Sequence, residues 1–428
     1  MVEEGGLTKL FSMDEVKEVV RDCDSFKILG PDGVNFGFIK EFWLDLKDDL
    51  MRIVSEFHHN GKLAKGINTT FIVLIPKVDN PLRLNDFRLI SFVGSLYKII
   101  AKMLANRLRL VISSVVFKTQ SAFIKNQQIL DGILIANEVV DEARKLKKEL
   151  MLFKVDFEKA YNSIDWGYLD SVMESMSFPV LWRKWIRECV GTAKASVLVN
   201  GSPTDEFHLH RGLRQGDPLS SFLFLIAAEG LHILMKVMAD NHLFTGYSVG
   251  MVNPVVVSHL RFVDDTLLLG HKSWANVRAL RGTLVIFKSM SGLKVNFNKS
   301  LLVGINISDS WLNEAASVLG CKVGKVPFIY LGLPIGGNPQ RLSFWDPIMH
   351  RIKSRLSGWN SWFLSFGGRL ILLKSVLTSL SVYAFSFFKV PSGIISYIES
   401  LLNNFFWGGR GGVRTIENYL DRLEHLVF

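Results

Sequence analysis

Two adjacent carboxylates, Asp264 and Asp265, interrupt an otherwise apolar stretch, HLRFVDDTLLLG, with Val255-Val256-Val257 ahead and Leu267-Leu268-Leu269 behind. Apolar runs this short, with a polar pair between them, predict strand, tight turn, strand. Two like charges side by side at a turn repel each other. A divalent cation offsets that cost, because hard magnesium takes carboxylate and phosphate oxygens together. The competing reading is a plain Asp-Asp turn on a solvated hairpin. A third carboxylate upstream, Asp156 at the end of LFKVDF, favours the site. If the two elements are neighbouring strands of one sheet, the three carboxylates converge as two-metal phosphoryl transfer requires. Positioning and charge stabilisation would then carry the rate, with no side-chain nucleophile.

At 428 residues the chain is long enough for a sizeable core and more than one subdomain, and a hydrophobic fraction of 48% excludes a disordered protein. The net charge of +10 suits an anionic partner, of which nucleic acid is the commonest. Cys23, Cys189 and Cys321 are scattered, with neither a disulfide framework nor zinc spacing, so a reducing compartment is expected. The acidic start MVEEGGLTKLF has no apolar core and does not read as a secretory signal. Leu370 to Phe388 is apolar but broken by Lys374 and several serines, which predicts a helix packed on protein and no membrane span.

Ser12 with Glu15 predicts a capped helix over 12–20. Gly30-Pro31-Asp32-Gly33 reads as a turn, with phosphate cradling as the alternative. TTFIVLIP, Thr69 to Pro76, is a strand by its β-branched content. Lys77 closes it, and Arg88 lies in the next segment. The two could face one ligand across a hairpin or simply form charged surface. Leu96 to Leu110 predicts a helix carrying Lys98, Lys102, Arg107 and Arg109, which either tracks a phosphate backbone or is solvated. A helix follows over 129–147, and Ser163 or Asp165 can cap another from Trp166 to Met176. Ala195–Gly201 and Glu206–Leu209 read as a hairpin whose His208 and His210, lacking a third ligand, are surface residues. HRGLRQGDPLSSFLFLIAAEGLHILMK is a loop, with Gly212 and Gly216 permitting close backbone approach, that runs into an apolar helix. Trp274 to Met290 is helical, SGLKVNFNKSLLVG is turn then strand, PFIYLGLPIGGNP is a strand and glycine turn, and 345–406 is helical.

The order of these segments carries a resemblance. GPDGVNFGFIKEFW, FIVLIPKVDNPLRLNDFRLISFVGSLYKIIAKMLANRL, QSAFIKNQQILDG, VDFEKAYNSIDW, RGLRQGDPLSSFLFLIAAEGL, FVDDTLLLG, SGLKVNFNKS and YLGLPIGG stand in the order found in the reverse transcriptase of LINE-type non-LTR retrotransposons, which the chain resembles from about residue 12 to 408, plant elements in particular. The resemblance implies an α+β right-hand polymerase: fingers over 1–150, a palm with an antiparallel sheet over 151–338, a helical thumb over 339–408 and a divergent tail over 409–428. It implies RNA-directed DNA synthesis with two magnesium (or manganese) ions, an RNA template, a DNA primer and deoxynucleoside triphosphates. Asp156, Asp264 and Asp265 would hold the metals, assisted by the Phe157 carbonyl, and Lys299 would protonate the departing pyrophosphate. Tyr161 would exclude a 2′-hydroxyl by clash. Gln215 and Gly216 would contact the incoming nucleotide, Lys77 and Arg88 its triphosphate. Leu331 and Gly332 would form the primer grip.

Some positions depart from the family pattern. Asn162 stands for a usual Asp, Leu89 for a Pro, Asn126-Gln127 for Gly-Arg, and Arg261 and Val263 for Gln and Ala beside the carboxylate pair. The sequence shows no counterpart of the family's endonuclease and RNase H-like regions, so a truncated copy is expected. The rival expectation is a decayed copy that binds nucleic acid without catalysis. A nuclear or cytoplasmic location follows from the chromosomal target of such elements, and the oligomeric state stays open.

Overall fold

In the computed structural model, residues 4–78, 80–117, 119–358, 364–377 and 383–407 are described. The chain divides into two compact units, Met1–Lys325 and Val326–Phe428.

In the first unit, after a short helical turn at Glu4–Leu7, helix α1 (Met13–Asp22) is started by the expected box: Ser12 Oγ accepts from the Glu15 N–H, and the Glu15 carboxylate accepts from the Ser12 N–H. Strands β1 (Thr69–Pro76) and β2 (Phe87–Val93) form an antiparallel hairpin with Ile75 opposite Arg88. Helix α2 (Ser95–Val115) follows. Its N-terminus answers the question left by Gly30-Pro31-Asp32-Gly33: the Asp32 carboxylate accepts from the backbone N–H groups of Ser95 and Leu96. The segment is a turn that delivers a capping carboxylate, which satisfies the first orphan donors of the helix.

One expectation on α2 fails. Arg107 is neither solvated nor presented to a phosphate chain; it is buried, paired with Glu15 at 2.8 Å, and donates to the carbonyls of Leu7, Lys9 and Leu10. A guanidinium satisfied on every side pins the N-terminal segment to α2.

Helix α3 (Ile129–Lys145) leads into β3 (Leu150–Val155), the central strand of a five-stranded sheet. After the short β4 (Phe157–Glu158), helix α4 (Trp166–Ser175) is capped by Asp165, the second of the two candidates, which accepts from the Tyr168 N–H at 2.8 Å. Helix α5 (Val180–Gly191) then precedes β5 (Lys194–Val199), which pairs in parallel with β1, so the first sheet draws on both sides of residue 150. Helix α6 (Ser220–Asp240) is apolar and buried all round over its first half, and it packs against α2, α4 and helix α7 (Trp274–Ser291).

Strands β6 (His259–Phe262) and β7 (Asp265–Gly270) form the hairpin expected at the carboxylate pair, with Phe262 opposite Asp265. The strand entering that turn is not Val255–Val257. That run is exposed and pairs with Tyr247–Val249 in a separate ribbon. β8 (Lys294–Val295) pairs with β4, while β9 (Leu301–Ile305) and β10 (Lys322–Gly324) complete the central sheet in the order β6-β7-β3-β9-β10.

In the second unit, β11 (Phe328–Tyr330) and β12 (Leu333–Ile335) make a tight hairpin. Helices α8 (Asp346–Gly358), α9 (Phe366–Leu372) and α10 (Ser392–Trp407) follow, with a π-helical turn at Leu373–Leu377. The expected divergent tail, 409–428, lies outside the described residues.

Candidate active site

The central strand places the site. β3 runs between β7 and β9 and is buried along nearly its whole length, which is why it is apolar except at Lys154. Thr266 on β7 pairs with Val155 on β3. One step further, that register sets Asp265 beside Asp156, just where β3 ends. Asp264 occupies the turn itself. Burial pushes all three carboxyl groups above the usual range. Asp264 is raised further by Asp265 and Asp156, and Asp265 by Asp156. The three therefore share one field.

The donor set is all carboxylate oxygen, as a hard divalent cation requires. Its charges disfavour one another and would be relieved by a cation. In that chemical sense the residues fit. They are not drawn into a grip, however: among the described residues no group of three or more His, Cys, Asp or Glu is gathered closely enough to hold a metal ion.

Lys299 lies in the turn ahead of β9, and its charge opposes the rise of the Asp156 carboxyl. The turn is tied to the site by backbone: Asn296 N–H donates to the Asp156 carbonyl at 2.7 Å, and Ser300 Oγ accepts from the Asp156 N–H at 3.1 Å. Lys154 is a charged neighbour of the site that the sequence reading missed. Its charge favours the ionised forms of both Asp156 and Asp265. Strand alternation could have found it, since residues two apart share a face.

Of the predicted nucleotide contacts, Tyr161 is half-buried near Ser221 and Asp264. Arg88 reaches the field of Asp264, favouring its ionised form. Lys77 lies on the same side of the hairpin, but its ammonium donates to the Asn85 carbonyl at 3.2 Å. Gln215 and Gly216 sit against β2: the Ser91 N–H donates to the Gln215 carbonyl at 2.8 Å, and Gly216 has φ +112°.

Beneath that turn lies a polar network with no local sequence signature. Arg214 and Asp217 are buried and paired at 2.9 Å. Tyr97 donates to Asp217 at 2.8 Å and offers its ring face to Arg214, while Arg214 also donates to Asn68 at 2.7 Å. These groups hold both ends of the Gln215-Gly216 turn.

In the second unit, Leu331 and Gly332 are the two central residues of the β11–β12 hairpin, with φ +49° and +84°. Two positive φ values mark the type I′ turn that suits a two-residue loop. The Tyr383 hydroxyl donates to the Leu331 carbonyl at 3.0 Å.

The departure at 126–127 has a local explanation at its first position. Asn126 has φ +67°, a conformation natural to the family's glycine and tolerated by asparagine. Gln127 is less well accommodated, since its Oε1 is buried without a partner among the described residues.

The sequence matches the reverse transcriptase (RNA-dependent DNA polymerase) family over residues 75–335. It is 24% identical to the transposon TX1 uncharacterized 149 kDa protein of Xenopus laevis over 403 residues, which is 93% of this chain and 30% of that protein. It is 26% identical to the Pol polyprotein of the type-2 retrotransposable element R2DM of Drosophila melanogaster over 277 residues, 64% of this chain and 25% of the other. A shorter stretch, 69 residues at 39% identity, covers 16% of this chain and 56% of an uncharacterized mitochondrial protein of Arabidopsis thaliana. The chain thus spans 30% or less of the first two relatives' length.

Proposed function

The chain belongs to the reverse transcriptase (RNA-dependent DNA polymerase) family, with the α+β polymerase fold, and we propose that it extends a DNA primer on an RNA template as the polymerase domain of a non-LTR retrotransposon. The register of β7 on β3, which brings Asp265 beside Asp156, is the observation that carries this reading. We assign the element to the plant LINE type; the local likeness to an Arabidopsis protein supports its plant side. We assign fingers to 1–150, palm to 151–338 and thumb to 339–408.

Asp156, Asp264 and Asp265, with the Phe157 carbonyl, would hold two magnesium or manganese ions, which when bound supply charge stabilisation at the attacking and departing oxygens. Lys299 protonates the departing pyrophosphate. Arg88 and Lys77 hold the triphosphate, and Gln215 and Gly216 meet the incoming deoxynucleotide. The Tyr161 ring excludes a 2′-hydroxyl. The Leu331-Gly332 turn presents backbone to the primer strand.

The second reading, a copy that binds nucleic acid without catalysis, is favoured by Gln127, whose stranded amide oxygen sits where the family has arginine. Primer extension on a primed RNA template, with deoxynucleotides and Mg²⁺, separates the two. Extension by the parent and none by Asp264→Asn is the expected result. Intact binding with no extension by the parent would install the second reading.

A further inference from the structure

We propose that Gln120 is a positioning residue for the catalytic turn: its buried carboxamide clasps the backbone of Val263 and holds the left-handed conformation that aims Asp264 and Asp265. This deepens the polymerase reading and rests on it for its link to catalysis.

The turn has an unusual occupant. Between Phe262 and Asp265, which pair across the hairpin, only Val263 and Asp264 remain. Val263 has φ +56°, whereas Asp264 is not among the residues of positive φ. Positive φ at the first central residue alone is the pattern of a type II′ turn, where glycine is preferred. A β-branched residue disfavours that conformation strongly. Something outside the turn must hold it.

Gln120 is placed to do so. It is 0% exposed. Its Oε1 accepts from the Val263 N–H at 3.0 Å, and its Nε2 donates to the Val263 carbonyl at 3.4 Å. One amide side chain thus meets both backbone groups of one residue, as a neighbouring strand would. The same Oε1 accepts from the Ala122 N–H at 3.1 Å, which fixes the side chain to its own loop.

That loop is itself anchored beside β6. The Arg261 N–H donates to the Thr119 carbonyl at 2.8 Å, the Ser121 N–H donates to the Arg261 carbonyl at 3.2 Å, and Gln120 bridges Arg261 in parallel. Behind it, Glu229 on α6 accepts from the Phe117 N–H at 3.2 Å and forms a buried ion pair with Arg261. Residues 119–122 therefore act as a short strand substitute at the free edge of the sheet, and Gln120 extends it to the turn. Loss of the clasp leaves Val263 free to return to negative φ, which swings the two carboxylates away from Asp156.

The test uses the full chain with Gln120→Leu, with Val263→Gly, and with both. Gln120→Leu should lower kcat for primer extension roughly 10²-fold, the scale expected for small misplacement of reacting groups, while the KM for deoxynucleotide and the binding of primed RNA stay within about twofold of the parent. Adding Val263→Gly should recover roughly tenfold or more of that loss, because glycine adopts positive φ without help. An unchanged kcat in Gln120→Leu, or a folded double variant as slow as the single one, overturns the proposal. If Gln120→Leu does not fold, Gln120→Glu keeps the acceptor and removes the Nε2 donor, and its rescue by Val263→Gly decides in the same way. Should the parent prove inactive, the polymerase reading fails but the clasp is still judged, by melting. The Tm shifts of the two substitutions should not add, with Val263→Gly more favourable in the Gln120→Leu background. Additive shifts would sink the clasp.

Discussion

Tyr161 lies against Phe224, with ring centroids 4.8 Å apart and planes 19° from parallel. Phe224 belongs to the buried first half of helix α6, and Tyr161 follows the end of β4, so a rigid core residue backs a half-buried one. A ring fixed in this way can discriminate by one oxygen, because it cannot swing aside from a clash.

Tyr161→Ala should therefore relax the preference for deoxynucleotides over ribonucleotides by roughly 10- to 200-fold, the range over which a shaped pocket senses one small group. Competition between the two nucleotide types in primer extension measures it. Equal discrimination in variant and parent would remove Tyr161 from the gate.

Phe224→Ala removes the backing while leaving the Tyr161 ring in place. It should give a smaller relaxation and, as a large-to-small change at a buried site, a loss of about 3–5 kcal/mol in stability. A denaturant midpoint and the same competition assay check both halves. Full discrimination with lowered stability would show that the stack is only core packing.

The metal assignment has a readout that needs no turnover. Magnesium at roughly a hundredfold over its Kd should stabilise the parent by about 2.7 kcal/mol, and Asp264→Asn should lose most of that gain. Without metal the variant should melt no lower than the parent, since burial and the neighbouring carboxylates disfavour the charge it removes. Equal magnesium-induced shifts in the two proteins would count against Asp264 as a ligand.

How far the sequence carried these conclusions depends on the range of the interactions involved. β1 is legible to the residue, because Thr69 to Pro76 carries its own β-branched signal. The carboxylate turn is legible too, but the run Val255–Val257 drew attention from the true strand, His259–Phe262, which hides its role behind His259 and Arg261. Arg107 read as either phosphate-facing or solvated because its partners, Leu7 to Glu15, lie far away in the chain. Gln120 and Val263, or Tyr97 and Asp217, meet only after the chain has folded back over more than a hundred residues. No local pattern encodes such pairs; burial and backbone demand create them.

His232 and His259 supply a pH dependence. Nδ1 of the first lies 2.8 Å from Nε2 of the second. Burial, with Arg261 adding its charge, holds His232 down at about 4 and His259 well below the usual range. An unfolded histidine takes its proton near pH 6.5. Stability from this pair is thus full above about 6.5 and is lost as pH falls toward about 4, because the unfolded chain binds protons that the folded one refuses. Urea midpoints should decline across that window, and His232→Asn should shallow the decline. An unchanged slope in the variant would place the acid sensitivity elsewhere.

The sharpest steric prediction concerns Gly216. With φ +112°, an added Cβ would stand 2.7 Å from the Ser91 carbonyl oxygen, while the Ser91 N–H already donates to the Gln215 carbonyl. The turn cannot retreat as a unit, because the buried Arg214–Asp217 pair holds both its ends. Gly216→Ala must therefore break the Gln215–Ser91 bond or strain the backbone, at about 1–3 kcal/mol. If this turn meets the nucleotide, the KM for deoxynucleotide should rise roughly tenfold, with binding of primed RNA unchanged. Arg214→Met acts differently, stranding Asp217 as a buried charge at a cost of about 3–5 kcal/mol, so its first effect is on Tm. A Gly216→Ala enzyme with the parent's KM would mean that Gln215 and Gly216 shape the hairpin edge without touching the nucleotide.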